Sequence, residues 1–150
     1  MAMISTELLR RHSYFSGAGE ETLKKLAMIG EERSYHPGEV IFEEGDAANL
    51  LGVLTRGEVD LQTRLGSGEA KTVDTLVGGD LMCWSALVKP FRTHLSGVAR
   101  RETTVIVIDA RKLRDLIAED PAFGLVLMTG VSVALSHRLE GAQAQLAAVT

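Results

Sequence analysis

Between Gly78 and His94 the chain gathers residue types that can hold an anion. Ser85-Ala86-Leu87 can form one helical turn whose free backbone N–H groups and positive dipole end point the same way, an economical grip for a phosphate. Pro90 disfavours helical geometry in the residue before it, so the turn should stop near Lys89. The Ser85 hydroxyl can either touch the anion or start the turn, and the turn role is the commoner one. His94 can donate from a neutral imidazole and is the side-chain type most readily switched by mild acid, although a lone histidine is more often a packed or surface residue. Cys83 is the only cysteine, which excludes an internal disulfide and a cysteine-built zinc site. No histidine partner for it can be identified in the sequence, so it reads as a buried, inert thiol. Gly78-Gly79-Asp80 is too short for a dinucleotide or phosphate-loop fingerprint and lacks the lysine the latter needs. It reads as a turn.

Catalytic constellations do not emerge. His12, His36, His94 and His137 are scattered, with no His-x-His pair for a metal, and there is no Gly-x-Ser-x-Gly elbow for a nucleophilic serine. The chemistry expected is binding without catalysis. At 150 residues with 45% apolar content and only 3 prolines, the chain is long and apolar enough for one folded domain spanning residues 1–150. Net charge is −4 and no run of lysine or arginine exceeds two, so the broad positive field of a nucleic-acid binder is missing and direct DNA binding is not expected. Met1 to Arg11 shows no secretory signal, and the most apolar stretch, Phe123 to Leu135, is too short to span a bilayer. These features predict a soluble, cytoplasmic protein without membrane contact.

The elements that must position the 78–94 segment follow from periodicity. Glu20 to Ile29 places acidic residues first and apolar residues at helical spacing, with Gly30 as the expected stop. From Gly38 to Asp109 short β-branched or leucine-rich runs alternate with glycine: Val40 to Phe42, Leu51 to Thr55, Val59 to Arg64, Lys71 to Val77, Ser96 to Arg100 and Thr103 to Ile108. Such regular spacing predicts a barrel or sandwich. Leu65-Gly66-Ser67-Gly68-Glu69 has the composition of an exposed hairpin loop. Asp109 should cap a helix from Ala110 to Ala118, and Asp120-Pro121 should open another. In that last helix Leu125, Met128, Ser132, Leu135, Leu139, Ala142 and Leu146 recur at three-four spacing, a coiled-coil-like seam interrupted only by Ser132. The seam predicts pairing with a second copy, the alternative being a helix packed solely on its own barrel.

The glycine-punctuated segments Tyr35-His36-Pro37-Gly38-Glu39-Val40-Ile41-Phe42, Glu44-Gly45-Asp46 and Arg56-Gly57-Glu58-Val59, followed by Gly79 to Leu87 and Lys89-Pro90-Phe91-Arg92-Thr93-His94, resemble the cyclic nucleotide-binding domain family in its catabolite-activator-type sensory form. The resemblance runs from about Leu23 to Leu139. It implies an α+β fold: a cupin-like double-stranded β-helix, or jelly-roll β-barrel, over residues 20–109 with an N-terminal helix, and C-terminal helices over 110–148 ending in a long one that often pairs two subunits. Cupins share this roll and often hold a metal through clustered histidines and a carboxylate, which the scattered histidines here do not offer.

By that resemblance, residues 83–94 form a phosphate-binding cassette. Arg92 falls where the family places its phosphate-binding arginine, whose guanidinium can hold two phosphate oxygens. Thr93 falls where threonine or serine is common, and His94 where a small alanine is common. Ser85 and Ala86 supply the turn. The sequence departs from the family at Cys83-Trp84, where Gly-Glu is typical and the glutamate accepts from the ribose hydroxyl. Indole has only an N–H donor, and a buried hydroxyl left unpaired costs about 1–3 kcal/mol. Trp84 either reshapes and stacks in the ligand space or completes the core, and the Cys83 side chain narrows the site further.

Three readings follow. One is a sensory domain for a cyclic nucleotide (cAMP or cGMP) or another anionic metabolite, signalling through the terminal helix. The second is a ligand-free interaction module that acts as a homodimer or on a protein partner. The third is the remnant of a transcriptional regulator, since the family's helix-turn-helix domain usually follows the long helix and the sequence reaches Thr150 directly after it.

Overall fold

A computed structural model describes residues 4–149, so Met1–Met3 and Thr150 at the ends of the expected 1–150 domain lie outside the described residues. Three helices come first: α1 Thr6–Arg10, α2 Ser13–Ser16 and α3 Glu20–Met28. Ser5 caps α1 by accepting from the Leu8 N–H at 3.0 Å. The acidic pair Glu20 and Glu21 occupies the first turn of α3, where the helix dipole favours negative charge, and Leu23, Leu26 and Ala27 form its buried face. Gly30, expected to end this helix, instead opens strand β1 Gly30–Tyr35. A Cβ at Gly30 would come within 2.6 Å of the δ-carbons of Ile108 and Ile4, the ends of flexible side chains, and 3.1 Å from the Val107 carbonyl, so glycine lets these groups pack closely over the start of β1.

The remaining strands are β2 Val40–Phe42, β3 Leu50–Arg56, β4 Val59–Arg64, β5 Ala70–Leu76, β6 Leu81–Met82, β7 Ser96–Ala99 and β8 Thr103–Asp109. They form two four-stranded antiparallel sheets, ordered β1-β8-β3-β6 and β2-β7-β4-β5. The sheets face each other as a jelly roll flanked by helices, the expected fold. β8 shows what holds the layers together. Val105 and Val107 face the other sheet and pack with Leu54, Val59, Leu61, Leu76 and Met82, while Ile106 and Ile108 point the opposite way into a cluster with Leu51, Val53, Phe15, Leu23 and Leu26. A strand buried on both faces reads as a continuous apolar run, as Val105-Ile106-Val107-Ile108 does.

Turn chemistry behaves as its residues dictate. Leu65 and Glu69 close the β4–β5 hairpin, the Leu65 N–H donating to the Glu69 carbonyl at 2.8 Å, with Gly68 at φ +88°. Gly57, between β3 and β4, has φ +100°, and an added Cβ would meet the Glu102 carbonyl at 2.5 Å.

Two helices close the chain, α4 Ala110–Glu119 and α5 Pro121–Ala148. Asp109 caps α4 through the Lys112 N–H at 2.9 Å. Asp120 caps α5 through the Phe123 N–H at 3.2 Å and accepts from the Thr22 hydroxyl at 2.5 Å, so one carboxylate joins α5 to α3. The Thr22 bond, with the Phe123 amide second, pushes its carboxyl below the usual carboxylate range.

α5 has 28 residues and is therefore about 42 Å long. Phe123, Leu127 and Val131 bury one stripe of its first half in the helical cluster, while every described residue from Leu139 onward is exposed. The stretch Phe123 to Leu135 was expected to be too short to cross a membrane. The helix containing it continues through Ala142, Ala144, Ala147 and Ala148, and by length and composition is long and apolar enough to do so, an 18-residue stretch of it having a mean hydropathy of 1.4. Its buried stripe nevertheless ties it to α2 and α3 as part of this fold.

Replacing Gly57 with alanine should destabilise the fold by about 1–3 kcal/mol, because the new Cβ meets backbone at a left-handed φ. Urea unfolding measures this, and an unchanged midpoint would contradict the β3–β4 geometry.

Candidate functional site

β6 ends at Met82 and delivers the chain into a sharply bent loop. Cys83 adopts φ 62°, ψ 45°, the left-handed region, which explains why glycine is the familiar residue at this place in the motif. A single 3₁₀ turn follows at Trp84–Leu87, and Val88 is already extended. The turn thus begins one residue earlier than expected and is tighter than a helix. Its Ala86 N–H donates to the Cys83 carbonyl at 3.0 Å, so that amide is spent within the loop. The Lys89–Pro90 bond is cis, and Phe91 is also left-handed at φ 59°.

Arg114, on α4, pins this loop from behind. Its Nη1 donates to the Ala86 carbonyl at 2.8 Å, and its guanidinium carbon lies 4.2 Å from the centre of the Phe91 ring. One cation therefore grips both halves of the loop, through a charge-assisted hydrogen bond and a cation–π contact. Sequence reasoning missed Arg114. The only local signal was a charged residue beside the apolar positions Leu113 and Leu116, and nothing local links it to Ala86 or Phe91.

The residues singled out from the sequence divide into groups. Cys83, Trp84, Ser85, Thr93 and His94 line one small compartment together with Phe42, Leu61, Leu76, Met82 and Leu95. Ala86 is fully buried. Thr93 is buried, its hydroxyl donating to the Glu43 carbonyl at 2.5 Å and its N–H to the Asp46 carbonyl at 2.9 Å. Arg92 is exposed and donates to the Gly45 carbonyl at 3.0 Å. Arg92 and Thr93 together hold the Glu43–Asp46 loop. The Trp84 and His94 rings stack, centres 5.2 Å apart and planes at 15°, and form one wall of the compartment.

The compartment measures about 50 Å³. Small-molecule pockets run to roughly 300–1,000 Å³, so this conformation holds a few waters and not a nucleotide. The chain fills most of this space with its own side chains, Trp84 and His94 among them. Burial pushes the Cys83 thiol up to about 12.

Two features border the compartment that the sequence did not flag. Arg138 of α5 lines it and reaches Asp74 of β5 at 3.7 Å. Between α5 and β5 an open groove of about 1240 Å³ shares Leu76, Leu95 and Arg138 with the compartment and is lined further along by Val73, Leu125, Val133 and Leu146. The seam residues lie mostly outside the core: Leu125, Leu139 and Leu146 are 71%, 59% and 67% exposed, and Ser132 and Ala142 are exposed too. Met128 is half-buried, as is Leu135, which packs partly on the helical cluster.

The family model described as "Cyclic nucleotide-binding domain" matches residues 32–120. Among solved structures, a protein of Geobacter metallireducens GS-15 named as a candidate cyclic nucleotide-binding protein is 36% identical, with 91% of this chain and 99% of that one covered and a TM-score of 0.82. A cyclic nucleotide-binding domain from Methylobacillus flagellatus KT has a TM-score of 0.80 at 18% identity, covering 97% and 82% of the two chains. The Thermus thermophilus catabolite activator protein has a TM-score of 0.70 at 23% identity, covering 91% of this chain and 62% of that one. These last two share the fold. No curated protein matches the chain.

A thiol titrating near 12 is about 10⁻⁴ ionised at pH 8, so Cys83 in the folded protein should react with a thiol reagent at least ~100-fold more slowly than in the urea-unfolded chain. Equal rates would show that the loop over Cys83 stands open.

Proposed function

The chain belongs to the cyclic nucleotide-binding domain family, and from that premise we propose that it is a non-catalytic sensory domain whose output is the pairing of α5 with a second copy and whose input is a small anionic ligand at the cassette. Residues 20–109 receive the ligand, and residues 110–148 transmit. The observation that carries this reading is the exposed seam of α5. Leu125, Leu139 and Leu146 stand largely in solvent on a helix whose second half has no core of its own to join. Burying a leucine side chain stabilises by about 1.5–3 kcal/mol, so the exposed leucines of two seams contribute on the order of 10 kcal/mol gross. Association costs about 4–15 kcal/mol, which leaves a pair balanced closely enough for a ligand to shift it.

A cyclic nucleotide such as cAMP or cGMP enters only if the Trp84–His94 stack parts, and its ribose hydroxyl then finds indole in place of a carboxylate. Another phosphate- or carboxylate-bearing metabolite without a ribose avoids that penalty. Because Arg138 of α5 borders the compartment, an occupant bears directly on the helix that pairs, and it shifts the helix through its differential affinity for the two arrangements. A second reading is favoured by the 50 Å³ volume: a module that pairs, or docks a protein partner, with its compartment permanently filled. Direct action on DNA is not proposed for a surface of net charge −4.

Sedimentation equilibrium of the wild type should give a dimer at tens of micromolar, and Leu139→Asp combined with Leu146→Asp a folded monomer, because each carboxylate would be buried unpaired. A wild type that stays monomeric at the highest concentration contradicts pairing. Calorimetry with cAMP and cGMP separates the two readings: saturable heat below about 1 mM supports the sensor, and silence from both nucleotides rejects its cyclic-nucleotide form in favour of the filled module.

A further inference from the structure

Arg138 stands where the compartment, the groove and the signalling helix meet. It is carried by α5, lines both cavities, and its side chain is only 24% exposed. Its ion pair with Asp74 spans 3.7 Å, too long for a hydrogen bond, so the attraction is Coulombic and leaves the planar donor fork geometrically unsatisfied by that carboxylate. Arg92 contrasts at each point. It is exposed, stands outside the set of residues that line the compartment, and donates to the Gly45 carbonyl at hydrogen-bond distance.

We propose that Arg138 is the residue that receives the phosphate group of the ligand in this compartment, and that Asp74 is the internal anion that holds its place until the ligand arrives. The inference rests on the sensory reading above and adds the identity of the anion-binding residue and of its competitor. A phosphate can meet a guanidinium through two parallel charge-assisted bonds, which are stronger than a single contact at 3.7 Å. An incoming phosphate anion is repelled by Asp74 as long as that carboxylate stays charged and near, so Asp74 opposes binding twice, by occupying Arg138 and by its sign. When the exchange occurs, α5 loses its tie to β5 at Arg138. One side chain then both binds and transmits, with no chain of intermediates required.

The test uses Trp84, the single tryptophan, whose emission reports on the stack it forms with His94. Inorganic phosphate and cAMP are titrated in separate arms at fixed ionic strength, with calorimetry in parallel, against wild type, Arg138→Gln, Asp74→Asn and Arg92→Gln. The phosphate arm reads the bare anion and the cAMP arm reads whether a nucleotide carries it. Arg138→Gln should weaken binding at least about tenfold, the range of a lost hydrogen bond to a charged group, and by more than Arg92→Gln does. Asp74→Asn should tighten it about threefold to fivefold. Because the two substitutions are expected to act in opposite directions, general loss of folding cannot imitate the result. Wild-type affinity in Arg138→Gln, a larger loss in Arg92→Gln, or no gain in Asp74→Asn overturns the inference while leaving the sensory reading intact. No saturable response of the wild type to either probe at about 10 mM overturns the inference together with the phosphate-binding form of the sensory reading.

Discussion

The placement of the cassette depends on Arg114. Its hydrogen bond to the Ala86 carbonyl and its contact with the Phe91 ring hold two stretches of loop, each entered through a left-handed residue, against the rigid frame of α4. α4 is itself fixed by the Asp109 cap and by Leu113 and Leu116 in the core. With the loop held there, Trp84 is presented toward His94, Thr93 is committed to the Glu43–Asp46 loop, and the space between the sheets and the cassette closes to about 50 Å³. A cation–π contact of roughly 0.5–2 kcal/mol with a charge-assisted bond beside it is modest in energy, yet it decides the geometry of the site.

Much of the roll was legible because its signals are local. The paired faces of β8, the glycines of the tight turns and the aspartates before α4 and α5 act within a few residues, and those elements lie where periodicity and capping place them. β1 was missed for a physical reason. It is an edge strand whose Glu31, Glu32, Arg33 and Ser34 are at best half-buried, so it carries neither alternation nor an apolar run. β6, two residues long, is too short for any pattern. The start of β1 at Gly30 shows the same limit: glycine is common at helix ends, but here its pairing with Ile108 of β8, far along the chain, places it in a strand.

The site was legible in composition and not in closure. That residues 83–94 hold a short turn stopping near Lys89 follows from Ser85 and Pro90 and from the family likeness. That Arg92 faces Gly45, that His94 covers Trp84, and that Asp74 and Arg138 meet beside them depends on contacts across the roll that no spacing records. The seam of α5 was visible as a three-four repeat, but whether such a stripe faces a core or solvent is set by the neighbours of the helix. Here Phe123, Leu127 and Val131 take the core-facing side, and the seam is left largely outside it.

In the sensory reading proposed above, a filled compartment is coupled to an unfilled helix face through Arg138, which lines both the compartment and the groove beside α5. The exposed second half of α5 is the part of this arrangement most dependent on a partner, since an isolated helical segment of that length is marginal in water. Amide hydrogen exchange across residues 139–149, followed as protein concentration is raised, tests it most directly. The account predicts protection that grows with concentration and reaches that of the Phe123–Val131 half; exchange at the unprotected rate at every concentration would contradict it.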